Sequence, residues 1–167
     1  MQRAIEYIVF FVAVVLLQAL LFDNMMFSGL VVPLYYVVFV VLLPVKIGRG
    51  WLLLLGVLLG MIMDMSMGTA GINTIATTAV AFVRPVVMRM TIGNDVTHES
   101  IPYGGAIDNR SFVLYATMLI VAHGVLFFGL ESLGSHLFYT LGRIVCSSAV
   151  TLGLTIVTAR LFRRVAV

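Results

Sequence analysis

Charge is what this chain has least of. Asp, Glu, Lys and Arg make up 10% of its 167 residues, against about 25% in an ordinary soluble domain. That is too few to cover a water-facing surface. With 62% hydrophobic residues and a mean hydropathy of +1.14, the solvent it is built for is lipid. Cysteine is nearly absent: Cys146 stands alone in an apolar segment, which excludes an intrachain disulfide and leaves no thiolate companion for a metal, so it reads as packing. Of the four prolines, Pro33 and Pro44 fall near the ends of one apolar run, where a missing backbone donor costs least. No Gly-rich phosphate loop, HExxH, CxxC or nucleophile elbow occurs. No internal repeat occurs either, nor the matched broken helices of inverted-repeat transporters. At this length the chain is one domain, 1–167.

The net charge of +3 does not indicate nucleic acid. The basic residues sit at the ends of apolar segments rather than along one amphipathic face, which is the pattern of membrane topology signals. A bilayer crossing takes about 20 mostly apolar residues. Six stretches qualify, at 4–22, 26–44, 51–67, 71–90, 111–130 and 136–162. The first is longer than the 7–15-residue core of a signal peptide and no small-x-small cleavage site follows it, so it reads as a retained span. Gly68–Gly71 is a tight turn that makes spans three and four a helical hairpin. Only 91–110 is a long polar connection. Its Asp95, His98, Glu99 and Asp108 could be drawn as a metal site, but a solvated linker able to dock a partner is the plainer reading. Nine of the ten basic residues fall on one side if both termini are cytoplasmic, and Arg143 is the exception. The expected fold is therefore all-α: a multi-pass bundle of six transmembrane helices with both termini cytoplasmic.

Polar residues inside such a bundle ask for a reason. At 1.5 Å per residue, Arg143 lies about 10 Å into the sixth span from its outer end, Asp64 about 20 Å from the inner end of the third, and His123 about 18 Å up the fifth. Glu131 lies just above them. A charge near the bilayer centre costs about 2.5–3.5 kcal/mol, and each leucine returns about 0.3–0.6. The run WLLLLGVLLG can therefore carry Asp64 into the membrane without explaining why it is kept. Pairing supplies the explanation: Asp64 or Glu131 is expected to meet Arg143 inside the bundle, with His123 within reach. A structural tether is the first reading of that cluster, ahead of a partner contact or a proton or solute path. Gly56 and Gly60 form a GxxxG, and Ser147 with Thr151 repeats the small-x-x-x-small spacing on the last span. Both permit close helix approach, within the chain or to a partner. Arg84, beside Pro85, is expected to snorkel to lipid headgroups while the proline kinks the fourth helix. Arg160, Arg163 and Arg164 read as an anionic-lipid anchor. Ser147 or Ser66 with His123 is an imaginable nucleophile–base pair that no motif supports.

The stretch GVLLGMIMDMSMGTAGINTIATT resembles the signature of the rod shape-determining protein MreD family. The corresponding positions here are Gly56, Gly60, Asp64, Gly71 and Asn73. The likeness extends to AFVRPVVM, AHGVLFFGLES and RIVCSSAVTL, and so covers most of the chain. It implies a non-enzymatic membrane subunit without cofactor or metal, acting in the bacterial elongation (Rod) complex. Such a subunit binds MreC and through it connects the cytoskeletal protein MreB to the peptidoglycan polymerase RodA and its partner transpeptidase; homodimerisation stays open. The family's fold is similar to the S-components of energy-coupling-factor transporters, which makes a small-molecule-binding subunit the alternative. In the scaffold reading the polar tether holds the 51–67/71–90 hairpin against the last two helices. A lipid-facing groove results, into which a partner's single transmembrane helix fits.

Overall fold

The computed structural model describes residues 2–23, 31–93, 107–133 and 136–165. Helix α1 (Gln2–Leu17) passes into one π-helical turn (Gln18–Phe22). A short α2 (Val37–Leu42), α3 (Arg49–Met67), α4 (Ile72–Thr91), α5 (Asn109–Ser132) and α6 (Leu137–Val165) follow. Among the described residues four helices are long and apolar enough to cross a membrane: Ala4–Phe22, Arg49–Met67, Asn109–Ser132 and Leu137–Leu161. α4 is as long as these but carries Asn73, Thr74, Thr77, Thr78, Arg84 and Arg89. Asn73, Thr77 and Arg84 are buried, so part of α4's polarity is spent inside the protein. α4 does not bend to a stop at Pro85 but runs through it to Thr91.

The expected second span is where the fold departs most from expectation. Within 26–44 the described part begins extended at residues 31–34, turns at Tyr35 and Tyr36, and is helical only over Val37–Leu42. Pro33 supplies no backbone donor, the valine-rich run is stiff at χ1 and a modest helix former, and Leu43 is held extended (ψ 151°) ahead of Pro44. Helix propensity alone would not forbid a longer helix. What permits the break is complete enclosure, since Tyr36 to Leu43 are 0–2% exposed. Irregular backbone at membrane depth is tolerated only where protein or a water-filled cavity surrounds it.

The other helices wrap this segment in chain order. α3 packs on α4, α4 on α5 and α5 on α6, while α2 touches α1, α4, α5 and α6, and α1 reaches α3. Their outward faces are apolar: Ile8, Leu54, Phe82, Val125 and Val145 are all exposed, the surface a lipid solvent calls for. Between α1 and α6 an apolar groove of about 440 Å³ stays open, with Tyr35 and Thr158 among its lining residues.

Candidate functional site

The inner polar groups of this protein are arranged around the broken second segment. An extended stretch leaves backbone N–H and C=O groups without helical partners, and each would cost several kcal/mol in hydrocarbon. The surrounding side chains supply those partners one by one. Ser147 Oγ accepts from Val32 N (3.0 Å) and Thr151 Oγ1 from Leu34 N (3.2 Å). Gln18, wholly buried in the π-helical turn, donates to Pro33 O (3.1 Å) and accepts from Tyr36 N (3.2 Å), and its amide also donates to Asp23 (2.8 Å). At the far end Arg84 closes the C-terminus of α2. Its Nη2 donates to Leu43 O, Nη1 to Pro44 O (3.4 Å) and Nε to Tyr115 Oη (2.8 Å), while the Tyr115 hydroxyl donates to Val41 O (3.0 Å). A cation at a helix C-terminus is also favoured by the helix dipole. Arg84 is 2% exposed; it does not snorkel, because its guanidinium is committed inward to the carbonyls that end α2, of which Pro44 O also accepts from Ile47 N (3.3 Å).

The expected charge cluster divides in two. Arg143 meets Glu131, with Nη1 to Oε2 at 2.8 Å and side chains 17% and 37% exposed, and its guanidinium lies 4.6 Å from the centre of the Phe128 ring. This pair joins α5 to α6, which are already neighbours in the chain. Asp64 is not part of it. Its carboxylate turns onto the start of α4, accepting from Asn73 N and Thr74 N (both 2.9 Å) and from the hydroxyls of Thr69 and Thr74. The reason is local. α4 begins at Gly71 (φ +88°), which has no side chain to cap the first-turn donors, so the carboxylate at the end of α3 takes that role across the turn. Asp64→Ala is expected to cost about 1–2 kcal/mol, the value of a lost cap. A double-mutant cycle separates the two groups: Asp64→Asn with Arg143→Gln should be additive within about 0.5 kcal/mol, whereas Glu131→Gln with Arg143→Gln should not. Coupling between 64 and 143 would contradict the geometry.

His123 belongs with Asp64's neighbours rather than with Arg143. A hydrogen-bonded chain runs inward from the carboxylate: Thr69 Oγ1 bonds Asp64, Asn73 Nδ2 donates to Thr69 Oγ1 (2.7 Å), and the Tyr36 hydroxyl donates to Asn73 Oδ1. His123 Nε2 lies 3.1 Å from Tyr36 Oη and 3.4 Å from Thr77 Oγ1. Because the Tyr36 hydrogen goes to Asn73, the His123–Tyr36 bond requires the hydrogen on Nε2. Nδ1 is then an acceptor, without a partner among the described residues. The adjoining space, lined by Gly124, Ser147, Ser148 and Thr151, measures about 10 Å³, the size of one water. Ser147 and Ser66 both carry hydrogen bonds elsewhere, Ser66 to Asp23 (3.3 Å), and neither bonds His123.

The small residues are used within the chain. A Cβ on Gly60 would fall inside contact distance of Thr74 Cα and 2.9 Å from Asn73 O; one on Gly56 would sit 2.9 Å from the Ala81 Cβ. These glycines let α3 lie directly on α4, and Ser147 and Thr151 face the broken segment. Among the described residues an open apolar groove lies between α1 and α6. Residues 94–106, with Asp95, His98 and Glu99, and the side chains of Arg163 and Arg164 lie outside the described residues; Arg160 is exposed.

Gln18, Arg84 and Tyr115 were not legible as site residues. Gln18 had a signal, being a lone amide in an apolar run. Arg84 was read by its position near a helix end, which cannot tell an inward from an outward rotamer.

Among the described residues, fold and polar interior together define an all-helical protein, with four helices long and apolar enough to cross a membrane, arranged around a broken, side-chain-clamped central segment. No protein family, no curated protein and no solved structure matches this chain.

Proposed function

We propose that this protein is a non-enzymatic scaffold subunit of a bacterial cell-elongation complex, as its resemblance to the MreD family implies. In this reading it crosses the cytoplasmic membrane six times, the second crossing made by the broken segment, with both termini in the cytoplasm. MreC is its direct partner, and through MreC come MreB, RodA and the partner transpeptidase. The observation that carries the reading is how the interior polar groups are spent. Ser147, Thr151, Gln18, Arg84 and Tyr115 each bond the backbone of one enclosed segment. That chemistry rigidifies a platform and offers no aligned nucleophile and base.

A rigid platform needs a docking face, and the groove between α1 and α6 fits a single transmembrane helix. It is apolar along Val9, Ala13 and Leu17, and Ala13 allows close backbone approach. Glu6 at its edge suits the Lys or Arg that flanks the cytoplasmic end of a membrane span. The alternative, a small-molecule-binding transporter subunit with its ligand at the interior polar chain, would have little room there: the space beside His123 is about 10 Å³, far below the roughly 300–1,000 Å³ of a small-molecule site.

Photo-crosslinkers at Ala13 and Leu161 are expected to trap MreC in cells, and one at Met118 on α5 is not. Ala13→Trp should lower MreC co-purification about tenfold, equivalent to losing about 1.4 kcal/mol, with the protein still folded. Equal trapping from both faces, or none from the groove, would overturn the assignment.

A further inference from the structure

Arg84 presents an unresolved electrostatic problem. Its guanidinium is 2% exposed, and its partners are two carbonyls and a tyrosine hydroxyl. Among the described residues no carboxylate faces it. Dipoles satisfy its hydrogen bonds but do not neutralise its charge, and an uncompensated buried charge is costly.

The same side chain lines a second cleft, of about 370 Å³, formed by the 45–47 turn, the start of α3 and the end of α4. Arg49 and Arg89 line it as well, and among the described residues no acidic one does. Three arginines therefore line one concavity: Arg49 exposed at the start of α3, Arg89 exposed on the last turn of α4, and the buried Arg84. Left to themselves, like charges repel and spread, so a cleft that gathers three of them is unfavourable unless an anion occupies it. The remaining lining is apolar, with Val45, Leu52 and Met88 beside the arginines. Guanidinium forks match the oxygens of phosphate bidentately, and an apolar wall next to them suits a phosphate that carries a hydrocarbon part.

We infer that the cleft bordered by Arg49, Arg84 and Arg89 is a binding site for a phosphate-bearing anion. It is separate from the groove between α1 and α6 and does not depend on the partner assigned there. The anion supplies the counter-charge that Arg84 lacks, and the two exposed arginines grip its outer oxygens. The phosphate could be a lipid headgroup or a soluble phosphate; the cleft chemistry is the same for both.

The test uses the full chain in a non-ionic detergent. In one arm, native mass spectrometry follows retention of dioleoyl-phosphatidylglycerol against dioleoylglycerol, which has the same chains without the phosphate. In the other, calorimetry follows inorganic phosphate. One phosphatidylglycerol held per chain, with dioleoylglycerol not held, identifies a headgroup; binding of inorganic phosphate alone identifies a soluble source. In either case the double variant Arg49→Gln, Arg89→Gln should weaken binding by at least about tenfold. The control Arg110→Gln should stay within about twofold, as expected when only generic surface charge is removed. Arg49, Arg89 and Arg110 are all exposed, so each variant should fold. Equal binding by wild type and the Arg49/Arg89 variant, or an equal loss in the control, overturns the site.

Discussion

Arg84→Met is expected to lose on the order of 3–5 kcal/mol of stability, measured by reversible unfolding in mixed detergent followed by circular dichroism. The magnitude follows from what is left behind. Methionine fills most of the space, but the Leu43 carbonyl and the Tyr115 oxygen, both fully buried, lose the donor that Arg84 gives them, and Pro44 O is left with Ile47 N alone. Hydrogen bonds from a charged group contribute about 1.5–3 kcal/mol each, and orphaned buried acceptors add their own desolvation cost. Arg84→Lys should recover only part of the loss, since one ammonium cannot reproduce a planar fork that reaches three acceptors. Tyr115→Phe, which removes one acceptor for Arg84 and one donor to Val41 O, should be milder. A methionine variant within about 1 kcal/mol of wild type, the scatter of an ordinary substitution, would mean that Arg84 does not hold the end of α2.

Gly60→Ala should be the next most damaging change. The added methyl has no flexible side chain to push aside, because what it meets is the backbone of Asn73 and Thr74. α3 and α4 must separate, which carries the Asp64 carboxylate away from the amides it caps. Overpacking a tight core costs about 1–3 kcal/mol, and the coupled loss of the cap adds about 1 more. Gly56→Ala should cost less, as its neighbour is the Ala81 side chain. Gly153→Ala meets nothing within 4 Å and should be neutral or gain up to about 1 kcal/mol from helix propensity. The order Gly60, Gly56, Gly153 in the same unfolding assay is the check; a flat series would place the hairpin contact elsewhere.

The two predictions show where residue patterns speak and where they do not. The Gly56–Gly60 spacing announced close helix approach, and the turn at Gly68–Gly71 announced which helix would be approached. That information is local, carried by residues fewer than 20 positions apart. The pairing of Arg143 with Glu131 was also within reach, since both flank one short turn. Asp64, the other expected partner of Arg143, bonds elsewhere for a local reason: a helix start is itself a positive site, and the uncapped N-terminus of α4 lies just beyond the turn. A long side chain near a helix end has two solutions, outward to headgroups or inward to carbonyls. For Arg84 the choice depends on the Leu43 carbonyl at the end of α2, which a pattern of neighbouring residues does not reveal.

The amino-acid sequence by itself determined the helical class, the presence of helices long and apolar enough to cross a membrane, and the hairpin. Charge content, apolar run length and glycine position act over short distances and do not depend on the rest of the fold. Only the tertiary structure decided that the second apolar run is broken rather than helical, and that Gln18, Arg84, Ser147 and Thr151 stand around it. The physical reason is that an apolar run needs an internal backbone ladder when lipid surrounds it and can do without one when polar side chains enclose it. Those side chains come from positions up to 117 residues distant.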